Sequence, residues 1–275
     1  MNFDFVRATI LAVVQGLTEF LPVSSSGHLE IGKWVLGAQE ADLGFSIWVH
    51  AATALSTLTV FRSEVLHLLQ GTLRAEPASR RMVGLLLLSA VPAGIVGLGF
   101  KDALEAGFIN RPDRVGMALL VTAAILAATD IHIRRSAYVP AGPWADFPWS
   151  KRVGQVVAIG LAQAFAILPG VSRSGSTIAA ALWVGVPRSE AARFSFLMAL
   201  IPIAGATLLE VKDLLEVSEP LTSTSSPGAY AVGAIAAYIS GLFACTWMIR
   251  LVSNVRLAGF AVYCAILGVV AVIWA

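Results

Sequence analysis

Long runs of apolar residues alternate with short polar breaks along the whole chain. Each run approaches the roughly 20 residues that a helix needs to cross a membrane. The runs cover residues 3–20, 43–61, 82–100, 115–133, 153–169, 190–211, 229–249 and 257–274. The pattern therefore predicts an all-α polytopic membrane protein that forms a single integral membrane domain, 1–275.

The composition agrees with a membrane protein and narrows the classes of partner. Hydrophobic residues make up 57% of the chain and charged residues only 13%, whereas soluble domains carry roughly 25% charged residues. The formal net charge is +2, without a basic tract or a pattern of stacking aromatic residues. A nucleic acid is therefore not expected as a partner. The expected partner is the lipid membrane.

Two of the apolar runs break at similar polar stretches. The first reads QGLTEFLPVSSSGH from Gln15, and the second reads QAFAILPGVSRSGST from Gln163. Identical residues recur 148 positions apart: Gln15 and Gln163, Ser24 and Ser172, Ser26 and Ser174, Gly27 and Gly175. The recurrence predicts two related repeats, about 1–133 and 153–275, joined by a linker at 134–152.

The distribution of lysine and arginine favours one topology for these repeats. If all the apolar runs span the membrane, the two sides carry ten and nine basic residues. If the first and fifth runs are re-entrant helix hairpins, the sides carry six and thirteen. The positive-inside rule favours the second arrangement. We therefore expect two inverted-topology repeats, six full spans, two re-entrant hairpins, and both termini outside.

The first broken stretch places candidate catalytic groups within the membrane. Gln15 and Glu19 are one helical turn apart and share a face. Three serines and a histidine follow them, namely Ser24, Ser25, Ser26 and His28. Carboxylates, hydroxyls and imidazoles carry out nucleophilic and acid–base catalysis. The alternative is that Glu19 only pairs with a neighbouring helix. His50, in the next run, could approach the site but is interpreted as an interior hydrogen-bonded histidine.

The second broken stretch has the features of an anion site. Glycine-rich backbone before a helix exposes N–H groups that bind anions, and Arg173 adds a planar guanidinium that matches phosphate oxygens. Its glycines and hydroxyls are Gly170, Ser172, Ser174, Gly175 and Thr177. The alternative is a helix N-cap without a ligand. Together, the two stretches indicate hydrolysis of a phosphate ester or anhydride on a lipid.

The two stretches closely resemble the signature motifs of the bacterial undecaprenyl pyrophosphate phosphatase family, of the bacitracin-resistance type. The family's first motif begins with glutamate or glutamine, and Gln15 is the glutamine variant. The resulting prediction gives catalytic roles to Glu19, Ser25, His28 and Arg173. It gives substrate contacts to Gln15, Ser24, Ser26, Gly170, Ser172, Ser174, Gly175 and Thr177.

The resemblance implies that undecaprenyl pyrophosphate and water give undecaprenyl phosphate and phosphate. This reaction recycles the lipid carrier for cell-wall synthesis. The site would face the outside of the bacterial plasma membrane, with the lipid as partner and a homodimer left open. A divalent cation, Mg²⁺ or Ca²⁺, is implied as cofactor, with Glu19 as a ligand. Either Ser25 or water would attack phosphorus, and either Glu19 or His28 would move the proton.

A different class of function stays open beside the enzyme. Inverted repeats with broken helices are also a transporter architecture, and a fold alone does not define an activity. The alternative is therefore a transporter or flippase of polyprenyl phosphate lipids.

Overall fold

The structure is a computed structural model that describes residues 5–38, 43–108, 111–135, 144, 147–216, 227–254 and 256–274. Within these ranges the regular secondary structure is helical, without a β-strand. The helices are α1 Phe5–Phe20, α2 Ser25–Val35, α3 Leu43–Val60, α4 Arg62–Leu73, α5 Pro77–Phe108, α6 Pro112–Arg135, α7 Trp149–Phe165, α8 Arg173–Trp183, α9 Arg188–Glu216, α10 Pro227–Asn254 and α11 Ala258–Trp274.

Every apolar run predicted from the sequence contains a helix. By length and composition, four helical segments can cross a membrane: Pro77–Phe100, Pro112–Arg135, Arg188–Leu209 and Gly228–Met248. The bent pair α3 and α4, which turns by 76°, raises the number to five if it forms one span. The apolar helix Ala258–Trp274 is shorter. An all-α, multi-pass membrane protein is therefore confirmed for the described chain.

Helices α1 and α7 each end at a turn and are followed by a short helix that packs back against them. Pro22 and Pro169 lie in these turns and cannot supply the backbone N–H that helix continuation needs. A serine N-cap then begins the next helix in each hairpin. Ser24 Oγ accepts a hydrogen bond from Gly27 N at 3.3 Å, and Ser172 Oγ accepts one from Gly175 N at 3.1 Å.

The hairpin helices pack against helices from the opposite half of the chain. Helix α1 lies along α10, and α7 lies along α5. Small residues permit the close approach, as is usual between membrane helices: a Cβ added at Gly16 would lie 2.6 Å from the carbonyl oxygen of Ala237 in α10. Each half therefore depends on the other for its packing.

The two turns meet inside the helix bundle. Ser174 Oγ donates a hydrogen bond to the carbonyl oxygen of Leu21 at 2.9 Å. The hydroxyl of Thr122 in α6 donates to Gly170 O and accepts from Ser172 N, both at 2.9 Å. These bonds fix the second turn against α6 and bring it beside the first.

We expect Gly170→Ala to destabilise the protein strongly. Gly170 has φ +97°, and an added Cβ would lie 2.5 Å from Val115 O and 2.7 Å from the Cβ of Ala118. The backbone strain alone costs about 1–3 kcal/mol, and the clash adds to it. Thermal unfolding in detergent measures the effect. Gly154→Ala is the matched control, because nothing lies within 4 Å of its added Cβ; equal unfolding temperatures in both variants would contradict the assignment.

Candidate active site

The carboxylate of Glu19 is the centre of a polar cluster formed by both hairpins. Its Oε1 accepts a hydrogen bond from Arg173 Nη2 at 2.8 Å. Its Oε2 accepts from Ser25 Oγ at 2.6 Å and from Gln15 Nε2 at 2.9 Å. Glu19 is only 7% exposed. The structure therefore brings three other predicted site residues, Gln15, Ser25 and Arg173, to the buried carboxylate of Glu19.

Local helix geometry explains how these side chains meet. Gln15 and Glu19 lie one turn apart on α1, whereas Ser25 and Arg173 are the first residues of α2 and α8. Ser25 and Arg173 are also 148 positions apart, which is the repeat spacing. The N-terminus of a helix carries a partial positive charge. Two such termini therefore meet at one point, an arrangement that favours an anion.

His50 of α3 also approaches the carboxylate. Its Nε2 lies 4.0 Å from Glu19 Oε2, and its Nδ1 lies 2.7 Å from the carbonyl oxygen of Ser46. Since a carbonyl only accepts, Nδ1 carries the proton and Nε2 faces Glu19. The bond to Ser46 agrees with the interior histidine expected from the sequence. Its position beside Glu19 matches the second interpretation of the sequence, in which this ionisable residue within an apolar run approaches the site.

His28 is held elsewhere in the first hairpin. Its Nδ1 donates to the carbonyl oxygen of Ser24 at 2.8 Å, and its Nε2 lies 2.7 Å from the hydroxyl of Tyr263. The two rings stack with centroids 5.5 Å apart. Among the described residues, no hydrogen bond joins His28 to Glu19 or Ser25. Both ring nitrogens are thus engaged away from the carboxylate.

The other predicted substrate contacts line the two turns. Ser24 Oγ lies 3.3 Å from Ser26 Oγ, and Ser172 Oγ lies at the same distance from Ser174 Oγ. The hydroxyl of Thr177 donates to the carbonyl oxygen of Arg173 at 2.8 Å. The two turns therefore repeat one hydroxyl arrangement, and within the described chain none of these five hydroxyls contacts Glu19.

Arg173 retains hydrogen-bonding capacity for a ligand. A guanidinium carries five N–H donors. One of them is used on Glu19, and another makes a long contact of 3.5 Å to the carbonyl oxygen of Ser195. The side chain is 18% exposed. A phosphate group entering beside Glu19 could therefore be bound by Arg173 without breaking its pair with the carboxylate.

The side chains around Glu19 do not by themselves make a divalent-cation site. Ca²⁺ takes many oxygen ligands, whereas Mg²⁺ is usually held by one or two carboxylates together with substrate phosphates. Within the described ranges, no group of three His, Cys, Asp or Glu side chains could hold a metal ion. Glu19 Oε1 already faces Arg173, although Gln15 Oε1 is buried and without a hydrogen-bond partner.

Two helix hairpins bring a carboxylate, a hydroxyl and a guanidinium together inside an apolar helix bundle, and the class that this fold defines is an integral, multi-pass membrane protein. The chain belongs to the family described as bacitracin resistance protein BacA, whose model matches residues 8–270. The family resemblance of the two motifs is thereby confirmed.

Curated relatives extend over nearly the full chain. An undecaprenyl-diphosphatase from Christiangramia forsetii is 42% identical over 282 residues, covering 99% of this chain and 98% of the relative. One from Bacteroides fragilis is 43% identical over 272 residues, covering 98% of both chains. One from Parabacteroides distasonis is 43% identical over 271 residues, covering 98% of this chain and 97% of the relative.

Proposed function

We propose that the protein hydrolyses undecaprenyl pyrophosphate to undecaprenyl phosphate and phosphate. The observation that carries the proposal is the pair of contacts on Glu19, 2.6 Å from Ser25 Oγ and 2.8 Å from Arg173 Nη2. It supplies a nucleophile, a base and a cation for the phosphoryl group in one buried place. The relatives described above carry the name of this activity.

In the first step Ser25 Oγ attacks the terminal phosphorus. Its proton passes to Glu19 Oε2 along the existing hydrogen bond. The bond between phosphorus and the bridging oxygen breaks, and Glu19 returns the proton to the departing undecaprenyl phosphate. In the second step Glu19 takes a proton from water, which attacks the phosphoserine. Phosphate leaves, and Ser25 Oγ recovers the proton from Glu19. Direct attack by water activated at Glu19 is the alternative.

Arg173 and the two helix N-termini act on the charge of the substrate. Catalysis of phosphoryl transfer depends on positioning and on stabilising negative charge at the phosphoryl oxygens. The free N–H donors of Arg173 are placed to bind these oxygens while another N–H holds Glu19. The first turns of α2 and α8 add partial positive charge from two directions. The prenyl tail stays in the lipid.

The contacts favour different roles for the two histidines. Glu19, and not His28, is our proposed base for Ser25, because only Glu19 makes a hydrogen bond with its hydroxyl. His28, bonded to Ser24 and Tyr263, is proposed to support the first turn. His50 is proposed to stabilise the carboxylate electrostatically in its doubly protonated, cationic form, in which Nε2 carries a proton towards Glu19 at 4.0 Å.

We further propose the finer topology predicted from the sequence, with two inverted repeats, two re-entrant hairpins and six full spans. The equivalent hairpins and the exchanged packing of α1 on α10 and of α7 on α5 support it. The six-to-thirteen division of basic residues supports termini on the outer face of a bacterial plasma membrane. The family resemblance supports a site that opens to the same face.

The topology gives a direct prediction for reporter fusions. We expect an alkaline phosphatase domain fused at the C-terminus to be active in intact cells, because that terminus lies outside. A fusion in the 74–76 connection between α4 and α5 should be inactive there, since this connection lies on the basic inner side in the proposed topology. The matched fluorescent-protein fusions should give the opposite pattern. An inactive C-terminal phosphatase with a bright fluorescent fusion would exclude the topology.

The cofactor and the oligomer remain proposals. We propose that Gln15 Oε1, which has no hydrogen-bond partner in the described chain, would help to hold Mg²⁺ or Ca²⁺, and that the cation would offset the negative charge of the pyrophosphate. A cation held by Glu19, the ligand expected from the sequence, stays the alternative, and it would share the carboxylate oxygens with Arg173, Ser25 and Gln15. The homodimer stays a prediction.

The function is tested by phosphate release from undecaprenyl pyrophosphate, using purified protein with and without EDTA. We expect catalytic turnover with one phosphate released per lipid. The competing transporter hypothesis predicts movement of the lipid across vesicle membranes without phosphate release. Turnover would exclude transport as the sole activity, and lipid movement without hydrolysis would overturn our proposal.

Glu19→Gln should reduce phosphate release by about 10²–10⁴-fold, the range for loss of a general base. An amide cannot take the proton of Ser25, although it preserves the shape of the side chain. Glu30→Gln is the matched control, because Glu30 pairs with Lys33 at 3.0 Å and lies outside the cluster. Equal activity of the two variants would remove Glu19 from the mechanism.

A further inference from the structure

A second polar cluster lies where helices α4, α5, α7 and α9 begin. A cavity of about 580 Å³ is found there, a size within the roughly 300–1,000 Å³ of small-molecule sites. Its charged and titratable lining residues are Glu64, His67, Arg81, Arg152, Glu190 and Arg193. None of the residues that contact Glu19 lines it, and the proposed reaction does not use it.

The charges of this cavity leave two arginines without carboxylate partners. Arg193 Nε donates to Glu64 Oε2 at 2.7 Å, so this pair is neutralised internally. Within the described chain, neither Arg81 nor Arg152 forms an ion pair. The remaining carboxylate, Glu190, lies in the first turn of α9, near Arg193. The cavity therefore keeps an excess of positive charge.

Arg152 is also incompletely satisfied. Its guanidinium lies 5.5 Å from the ring of Trp149, and its Nε is buried without a hydrogen-bond partner in the described chain. A buried donor without an acceptor is costly, particularly on a charged group. An anionic oxygen in the cavity would supply the acceptor.

Part of the cavity lining forms an apolar wall. Trp144 is 2% exposed and packs edge-on against Phe194 with ring centroids 5.0 Å apart. Leu68, Met82 and Leu197 complete this wall. Cationic donors beside an apolar wall are suited to an amphiphile with an anionic head. In the proposed topology these helix ends lie on the inner side, where anionic headgroups are abundant.

We propose that this cavity binds a phosphate group through Arg81 and Arg152, either on a lipid headgroup or as free phosphate. The planar, always charged guanidinium matches phosphate oxygens in pairs. The apolar wall contacts the glycerol and first methylenes when the phosphate is carried by a lipid. The site is separate from the Glu19 cluster and does not depend on the reaction proposed there.

Native mass spectrometry with three probes tests the proposal: a short-chain phosphatidic acid, the diacylglycerol with the same chains, and inorganic phosphate. All variants carry Arg173→Ala as well, because loss of this arginine should weaken phosphate binding at the Glu19 cluster. We expect phosphatidic acid to bind in the cavity. The double substitution Arg81→Gln and Arg152→Gln should weaken this binding by about tenfold or more. Arg80→Gln is the matched control, because this neighbour donates to Thr72 O instead of lining the cavity.

The outcomes separate the two sources of phosphate. Binding of phosphatidic acid without inorganic phosphate supports a headgroup site, and binding of both supports a site for the phosphate itself. Equal binding of diacylglycerol, or full binding by the double variant, overturns the proposal. Arg81→Gln alone is a second test that should preserve folding, since Arg81 is exposed. With Arg173 intact, this variant should keep wild-type phosphate release, so failure of the cavity and failure of the catalytic site are distinguishable.

Discussion

Replacing Ser25 with alanine should abolish phosphate release from undecaprenyl pyrophosphate, with a loss on the order of 10⁴–10⁶-fold. Loss of a covalent nucleophile has effects of this size. The hydroxyl of Ser25 is 2.6 Å from Glu19 Oε2, so its proton has a direct acceptor. No other hydroxyl in the described chain contacts this carboxylate, and a neighbouring serine therefore cannot take over the attack.

Ser26→Ala is the control that isolates this effect. Ser26 belongs to the same turn, but its Oγ contacts Ser24 at 3.3 Å and not Glu19. We expect that variant to retain most of its activity. An acid-quenched reaction with labelled substrate should also yield a phosphoserine in the wild-type protein and none in Ser25→Ala. Substantial activity in Ser25→Ala, without a trapped phosphoserine in the wild type, would establish water as the nucleophile.

The sequence predicts the membrane helices for a simple physical reason. Membrane helices require long apolar runs, so each run is visible in the composition. The repeat spacing of 148 residues also aligns Ser25 with Arg173, two residues that the structure brings to the same carboxylate. The recurrence in the sequence thus marks two distant stretches that contact the same carboxylate in the structure.

Other parts of the site depend on packing that periodicity does not encode. The bend between α3 and α4 at Phe61 is not marked by proline or glycine. The orientation of α3 decides that His50 faces Glu19, and the position of α11 decides that Tyr263 holds His28. These contacts join helices separated along the chain, so only the tertiary structure distinguishes the two histidines.

Arg173 connects both hairpins, and its substitution should have the second large effect. We expect Arg173→Ala to lose about 10³–10⁵-fold in phosphate release, the range for an arginine that stabilises phosphoryl transfer. Two contributions act together, because the substrate loses its cation and Glu19 loses its partner at 2.8 Å. An unpaired buried carboxylate also tends to take up a proton. It then cannot serve as the base for Ser25.

Arg173→Lys separates charge from geometry in this role. Lysine restores a positive charge but offers a single ammonium, which cannot bind Glu19 and two phosphate oxygens in the planar arrangement of a guanidinium. We therefore expect little recovery of activity, while thermal unfolding stays close to that of the wild type. Arg134→Lys is the matched control, since Arg134 also pairs with a carboxylate, Asp130, at 2.6 Å but far along α6 from the cluster. If Arg173→Lys were as active as Arg134→Lys, charge alone would suffice at this position. The fork geometry would then have no part in holding the pyrophosphate.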